Sequence, residues 1–277
     1  MSVKKSKKTS FVCDICGYDL WDDYQIIGLV KCAICGLVRA QLSLDENTLK
    51  KYYKKNYFFG DEYSDYFAER KALERNFESR LTKLDHYIDV NKSKIIEVGC
   101  AYGFFLKMLD DRGAKAIGYD VSRDAIKYAK QILKLDARLN DFVRSKDHNV
   151  DCVCMWDVIE HLPNPGEVVA KAGSILKKGG ILTLTTGDIG SLLAQIQGRN
   201  WRLIHPPTHM FYFDRQTIGK LLRMYDLDIV EINYPSISRN VGTVIQKVFK
   251  PRGFAWFNNL QLTLNLHDIM EVIAQKR

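Results

Sequence analysis

Apolar residues recur along this chain in two rhythms, and the rhythms alternate. Short, largely apolar runs near 94–98, 115–119, 136–139, 151–155 and 181–186 suit strands buried on both faces. Between them, residues 103–112, 123–133 and 166–176 carry apolar side chains three and four positions apart, the spacing of a helix with one buried face. Strands alternating with helices predict a mostly parallel sheet covered by helices on both sides. Further on, residues 191–197 read as a helix, Asp214 as the N-cap of another reaching about Tyr225, residues 227–234 as a strand and 267–275 as a closing strand. Residues 235–262 read as a basic, aromatic insertion.

The first ninety residues do not share this rhythm. Cys13, Cys16, Cys32 and Cys35 stand in the spacing C-x2-C-x15-C-x2-C, with Gly17 and Gly36 after each pair to make the tight turn. Each pair can offer two sulfurs to one side of a tetrahedral Zn²⁺, and four thiolates leave no open position, so a structural ion is expected. Residues 11–42 are therefore expected to be a small zinc ribbon, with Asp22, Tyr24, Ile26, Ile27, Leu29 and Val30 in hairpin strands. Residues 1–10 read as a basic, solvated tail. Residues 43–90 read as a helical arm, with a short helix at 45–53, an aromatic cluster (Tyr57, Phe58, Phe59, Tyr63, Tyr66, Phe67) and helical spacing through Ala72, Phe77, Leu81, Leu84 and Tyr87. The aromatics are expected to pack on the following domain.

The chemistry centres on residues 94–106, KIIEVGCAYGFFL: a strand, a turn of small residues and the start of a helix. A dinucleotide fold needs G-x-G-x-x-G, because its second and third glycines admit the pyrophosphate and the close helix. Counted from Gly99, those positions hold Ala101 and Phe104. A pyrophosphate would be poorly served. The run Glu97, Gly99, Ala101, Gly103 instead resembles the first motif of the class I S-adenosylmethionine-dependent methyltransferases, with alanine in place of the middle glycine. A cofactor with a sulfonium and an ammonium but no phosphate favours a carboxylate beside the turn. Further segments fall in the family's order: Asp120 ending the second strand, the run from Asp157 to Pro165 (DVIEHLPNP) after the fourth, and Gly179–Gly180 before the fifth.

The resemblance covers roughly residues 91–277 and implies a Rossmann-like methyltransferase domain with a mostly parallel seven-stranded sheet. It implies that Glu97, Gly99, Cys100, Ala101 and Gly103 cradle the cofactor, that Asp120 accepts the ribose hydroxyls and that Asp141 lies beside the adenine. Asp157 is expected on the cofactor side and an arm tyrosine such as Tyr57 over the site. The segment after the fourth strand faces the methyl group in this fold, which makes His161 the first candidate base and His209, in the aromatic loop 201–213, the second. The same family pattern, D-x-x-E-H, resembles an Mg²⁺ site in ubiquinone-biosynthesis O-methyltransferases. At Asp157, Glu160 and His161 such a site is an alternative, and a site without catalytic metal is the favoured expectation.

Composition changes little of this. The net charge is +8, but the first ten residues supply four lysines and no acid, so nucleic acid is not the favoured partner. No segment has the eighteen or so apolar residues of a membrane helix, and the basic N-terminus runs into FVCDIC rather than an apolar signal core. A cytoplasmic protein without membrane insertion is expected, with Cys100, Cys152 and Cys154 as small buried hydrophobes. The leading functional expectation is methyl transfer to the oxygen of a small molecule, sugar or glycan. The alternatives are an RNA methyltransferase gripping through ribbon and tail, or a cofactor-binding module without turnover. Oligomeric state is not legible.

Overall fold

The structure, a computed structural model, describes residues 7–8, 11–41, 66–139, 142–242 and 260–277. They fall into two compact units, one formed by Met1–Leu49, Phe142–Tyr234 and His267–Arg277, the other by Lys50–Asp141 and Pro235–Leu266.

The first unit begins with the ribbon. β1 (Lys7–Lys8) pairs antiparallel with β2 (Leu20–Asp23), β2 with β3 (Leu29–Cys32), and β3 with β4 (Val38–Ala40). Lys7 and Lys8, expected in the tail, thus extend the ribbon sheet. Tyr24, Ile26 and Ile27 lie in the turn between β2 and β3 rather than in strands, and Ile27 is fully out in solvent at 92%.

In the second unit α1 (Arg70–Leu84) buries Ala72, Leu73, Phe77, Leu81 and Leu84, the face that the helical spacing marks out. Tyr87 falls beyond its end. β5 (Lys94–Val98), α2 (Phe104–Asp111), β6 (Lys115–Asp120), α3 (Arg123–Gln131) and β7 (Ala137–Leu139) follow, with β5, β6 and β7 parallel. Ser122 caps α3 by accepting from the Ala125 amide, as the residue type at that position requires.

The first unit resumes with β8 (Val150–Trp156), α4 (Pro165–Ile175) and β9 (Leu176–Gly187), β8 and β9 being parallel. Then come α5 (Leu192–Gln197), the short β10 (Phe211–Tyr212), α6 (Arg215–Arg223) and β11 (Leu227–Asn233). Asp214 caps α6 through a full capping box with Thr217. In the insertion of the second unit, β12 (Ile237–Asn240) and β13 (Gln261–Leu264) form a two-stranded sheet. β14 (Ile269–Lys276) closes the chain, antiparallel to both β9 and β11.

The main sheet has seven strands in the order β11-β14-β9-β8-β5-β6-β7, the mixed, mostly parallel sheet expected. Cys152 and Cys154 are fully buried in β8 and Cys100 nearly so. The five-stranded ribbon sheet, however, runs β1-β2-β3-β4-β10. Its last strand comes from the aromatic loop far down the chain. A joint core of Ile26, Leu29, Val38 and Ala40 with Ile189, Ala194, Trp201 and Tyr212 fixes the ribbon within its unit. The aromatics at 57–63 and the expected helix at 45–53 lie outside the described residues.

Candidate functional site

The turn after β5 is built from three residues in the left-handed region: Gly99 (φ 75°), Ala101 (φ 45°) and Gly103 (φ 81°). Such φ values suit glycine and strain alanine. Ala101 is held there because its amide donates to Asp120 Oδ2 at 2.8 Å. Asp120 Oδ1 in turn accepts from the Ser122 amide at 2.7 Å, so the carboxylate locks the glycine turn to the end of β6. Gly103 leads into α2 with Leu135 Cδ1 and Ala129 Cβ only 3.0 and 3.1 Å from where a Cβ would stand. The backbone is bare here for a structural reason.

Two carboxylates face this turn. Glu97 is fully buried, its Oε2 has no hydrogen-bond partner among the described residues, and its carboxyl is held well above the usual range by burial and then by the charge of Asp120, with Arg80 opposing. Burial also raises Asp120, against the pull of its backbone donors. A buried and a half-buried carboxylate at one turn invite a cation. A ligand carrying an ammonium and a ribose therefore fits: Glu97 supplies an unmatched acceptor, and each Asp120 oxygen has a lone pair beyond the one its backbone donor occupies. Cys100 contributes only main chain, since its side chain packs with Leu106, Ile126, Ala129, Leu135 and Ala137. Tyr66 stacks on Phe104 at 5.3 Å and Phe67 meets Tyr102 edge-on at 4.8 Å, so the end of the arm covers the turn. Asp141 and Tyr57 lie outside the described residues.

In the other unit, β8 ends at Asp157, which itself has φ 56°. Its carboxylate accepts from the Thr185 hydroxyl at 2.8 Å, while its amide donates back to that hydroxyl oxygen at 3.0 Å. Asp157 is thereby turned to β9. Residues Ile159–His161 then form a single 3-10 turn with Glu160 and His161 buried. His161 and His209 lie edge to face with centroids 4.5 Å apart, and the exposed His205 adds a third ring 5.3 Å from His209. His161 Nδ1 donates to the Thr208 carbonyl and His209 Nδ1 to the Leu203 carbonyl, both at 2.9 Å. A carbonyl can only accept, so in the neutral rings the lone pair is on Nε2. Burial and the neighbouring imidazoles hold His209 well below the ordinary histidine range.

Sequence spacing missed what brings His209 here. The Met210 amide donates to the Glu160 carbonyl and the Met210 carbonyl accepts from the Ala40 amide, each at 2.8 Å. The loop is thus strung between the 3-10 turn and the ribbon. A second group, also missed, lies past β9: buried Asp188 accepts from Tyr234 at 2.5 Å, and buried Asp268 accepts from Trp201 Nε1 and Arg202.

The ribbon brings all four cysteines together. Cys13 and Cys35 Sγ are 3.3 Å apart, Cys16 and Cys32 Sγ 3.4 Å, and the four sulfurs lie within 4.8 Å of one another. These distances are far beyond a disulfide bond and match a group that can close on one tetrahedral ion.

Comparison with known proteins agrees with the glycine turn. A family model described as a methyltransferase domain matches residues 64–232. The chain belongs to this family: it is a class I S-adenosylmethionine-dependent methyltransferase with an N-terminal CxxC…CxxC ribbon. The mitochondrial ubiquinone biosynthesis O-methyltransferase of Dictyostelium discoideum is 25% identical over 246 residues, 81% of this chain and 72% of that one. The ubiquinone biosynthesis O-methyltransferase of Neisseria meningitidis serogroup C is 23% identical over 52% of this chain, a match that spans 63% of the relative's length. Among solved structures, the magnesium protoporphyrin IX methyltransferase of Synechocystis with bound SAH has a TM-score of 0.59 at 15% identity, covering 84% of this chain and all of that one. A SAM-dependent methyltransferase from Archaeoglobus fulgidus has a TM-score of 0.55 at 20% identity, covering 80% of this chain and all of that one. No helix among the described residues is long and apolar enough to cross a membrane.

Proposed function

We propose that this enzyme methylates an oxygen of a small molecule, with a sugar, glycan or ring-shaped acceptor as the substrate class. The observation that carries the reading is the histidine pair: two buried imidazoles, each with Nδ1–H tied to a carbonyl, gather at the segment after β8 with Nε2 as the lone-pair nitrogen. A neutral hydroxyl must lose its proton as it takes a methyl group, and such groups are suited to activating it. The curated relatives named as O-methyltransferases support oxygen as the acceptor atom.

S-adenosylmethionine supplies a methyl group already activated on a sulfonium. In this reading Glu97 draws the cofactor's ammonium, Asp120 binds the ribose hydroxyls while fixing Ala101, and Asp141 lies beside the adenine. The work left to the chain is alignment, which supplies several kcal/mol, and activation of the acceptor hydroxyl by His161 and His209. The ribbon holds a structural zinc, and the enzyme acts in the cytoplasm.

The test is incubation with methyl-radiolabelled S-adenosylmethionine and a cell extract, the label then being fractionated by size and nuclease sensitivity. Label in base-stable small molecules or glycans is expected. Label in nuclease-sensitive polymer, or cofactor binding with no transfer to any fraction, would overturn the reading.

A further inference from the structure

Glu160, His161 and His209 come from two segments far apart in the sequence, and each is more than nine-tenths buried, at 5%, 9% and 6% exposure. A carboxylate oxygen and two ring nitrogens from these residues lie within 4.8 Å of one another. With both Nδ1 protons committed to carbonyls, the neutral rings present lone pairs, and an ionised carboxylate presents more. Anchoring Nδ1–H on a backbone carbonyl is also how proteins orient a ligating imidazole and fix its tautomer.

We propose that Glu160, His161 and His209 form a binding site for one divalent cation of the zinc class, ligated by a Glu160 carboxylate oxygen and by Nε2 of both histidines. Two imidazoles and one carboxylate suit zinc, cobalt or iron, whereas Mg²⁺ prefers an all-oxygen, octahedral shell. This differs from the Asp157–Glu160–His161 set that the sequence pattern raises for Mg²⁺. Among the described residues it is His209, not Asp157, whose ligand atom lies within 4.8 Å of those of Glu160 and His161. Three protein ligands leave a coordination position open, the arrangement of catalytic rather than structural sites. With both Nε2 lone pairs given to the cation the imidazoles no longer serve as bases, and the cation instead lowers the pKa of a hydroxyl that enters the open position. That role rests on the acceptor chemistry proposed above; the binding of metal does not.

Metal content therefore tests it without turnover. Elemental analysis of the purified full-length protein, followed by chelation and titration with Co²⁺ under visible absorption, is expected to give two equivalents per chain. One shows sulfur-to-cobalt charge transfer and is lost in Cys13→Ser. The other shows only weak d–d bands and is lost in Glu160→Gln, His161→Ala and His209→Ala while S-adenosylmethionine binding, read by calorimetry, persists. A single, thiolate-bound equivalent in the wild type, both as purified and after titration, would overturn the proposal even where a variant fails to fold. So would a second equivalent that survives the histidine substitutions. Failure to methylate any acceptor would bear on the function alone.

Discussion

Arg39 of β4 stands directly opposite Phe211 of β10, with its guanidinium 5.2 Å from the Phe211 ring and 4.1 Å from that of Phe11. The side chain is buried, at 8% exposure, and its charge opposes the burial that pushes Asp14 up to about 6. The next residue, Ala40, bonds to Met210, and Met210 to Glu160. Ribbon, loop and 3-10 turn are therefore joined by successive contacts, with His209 beside the middle link. The histidine loop is thus paired with the ribbon through β10 and β4.

Arg39→Ala should accordingly act on transfer and not on the cofactor. Losing a desolvated cation–π contact costs about 2 kcal/mol, and the loop carrying His209 loses part of its support. The expected result is a several-fold fall in single-turnover methyl transfer with an unchanged Kd for S-adenosylmethionine by calorimetry. An equal loss of cofactor affinity would mean that the ribbon acts only through general stability.

Glu97→Gln should trade binding for stability. A carboxyl whose folded pKa is raised contributes stability below its unfolded pKa and loses it as pH rises through the folded value, so holding Glu97 ionised costs the cofactor-free protein stability. The amide removes that cost, and the free variant should melt above the wild type. Its affinity for S-adenosylmethionine should fall about tenfold or more, the scale of one hydrogen bond to a charged group. Wild-type affinity should also weaken on acidification, in a window above the usual carboxylate range because both Glu97 and Asp120 are raised. Affinity independent of pH through that window would count against carboxylate recognition of the cofactor.

Gly118→Ala tests the packing behind the cradle. A Cβ there would meet Cys100 Sγ at 2.7 Å and Leu106 Cδ2 at 2.8 Å, both in a tightly filled core. Overpacking of this kind costs about 1–3 kcal/mol. Chemical denaturation should show that loss, and Gly118→Ala combined with Cys100→Ala should recover part of it. No recovery would place the strain in the backbone instead.

The strands and helices of the main sheet were legible because they are long enough to show a period. Val150–Trp156 is apolar but for Asp151 at its start, and α3 has its cap and its stripe. The glycine turn after β5 was legible because Gly99 and Gly103 occupy conformations that favour glycine, and even the departure at Ala101 falls at a strained φ. What escaped depends on single long-range bonds. Phe211–Tyr212 is too short to carry any period, so its pairing with Val38 and Arg39 left no mark in the sequence. The direction of Asp157 likewise depends on a left-handed backbone and on Thr185 from the neighbouring strand, neither of which spacing reveals. The two-stranded sheet of β12 and β13 escaped because its strands lie far apart in the sequence, with no turn signal joining them.

Tyr234→Phe probes the group past β9. Asp188 is 2% exposed, and its carboxyl is raised by burial although Tyr234 and the Gly190 amide pull it down; the same contact and partial burial push the tyrosine up to about 12. An O–H to carboxylate bond of 2.5 Å is of the short, charge-assisted kind. Removing the donor leaves a buried carboxylate with one fewer partner, at a cost of about 1–3 kcal/mol, and raises its pKa further. By the sign of that shift, the lost stability should be greatest at neutral and alkaline pH and should shrink as acid protonates Asp188. Melting curves of both proteins across that range should therefore converge toward low pH. Parallel curves would mean that Tyr234 supports the fold through its ring and not through its hydroxyl.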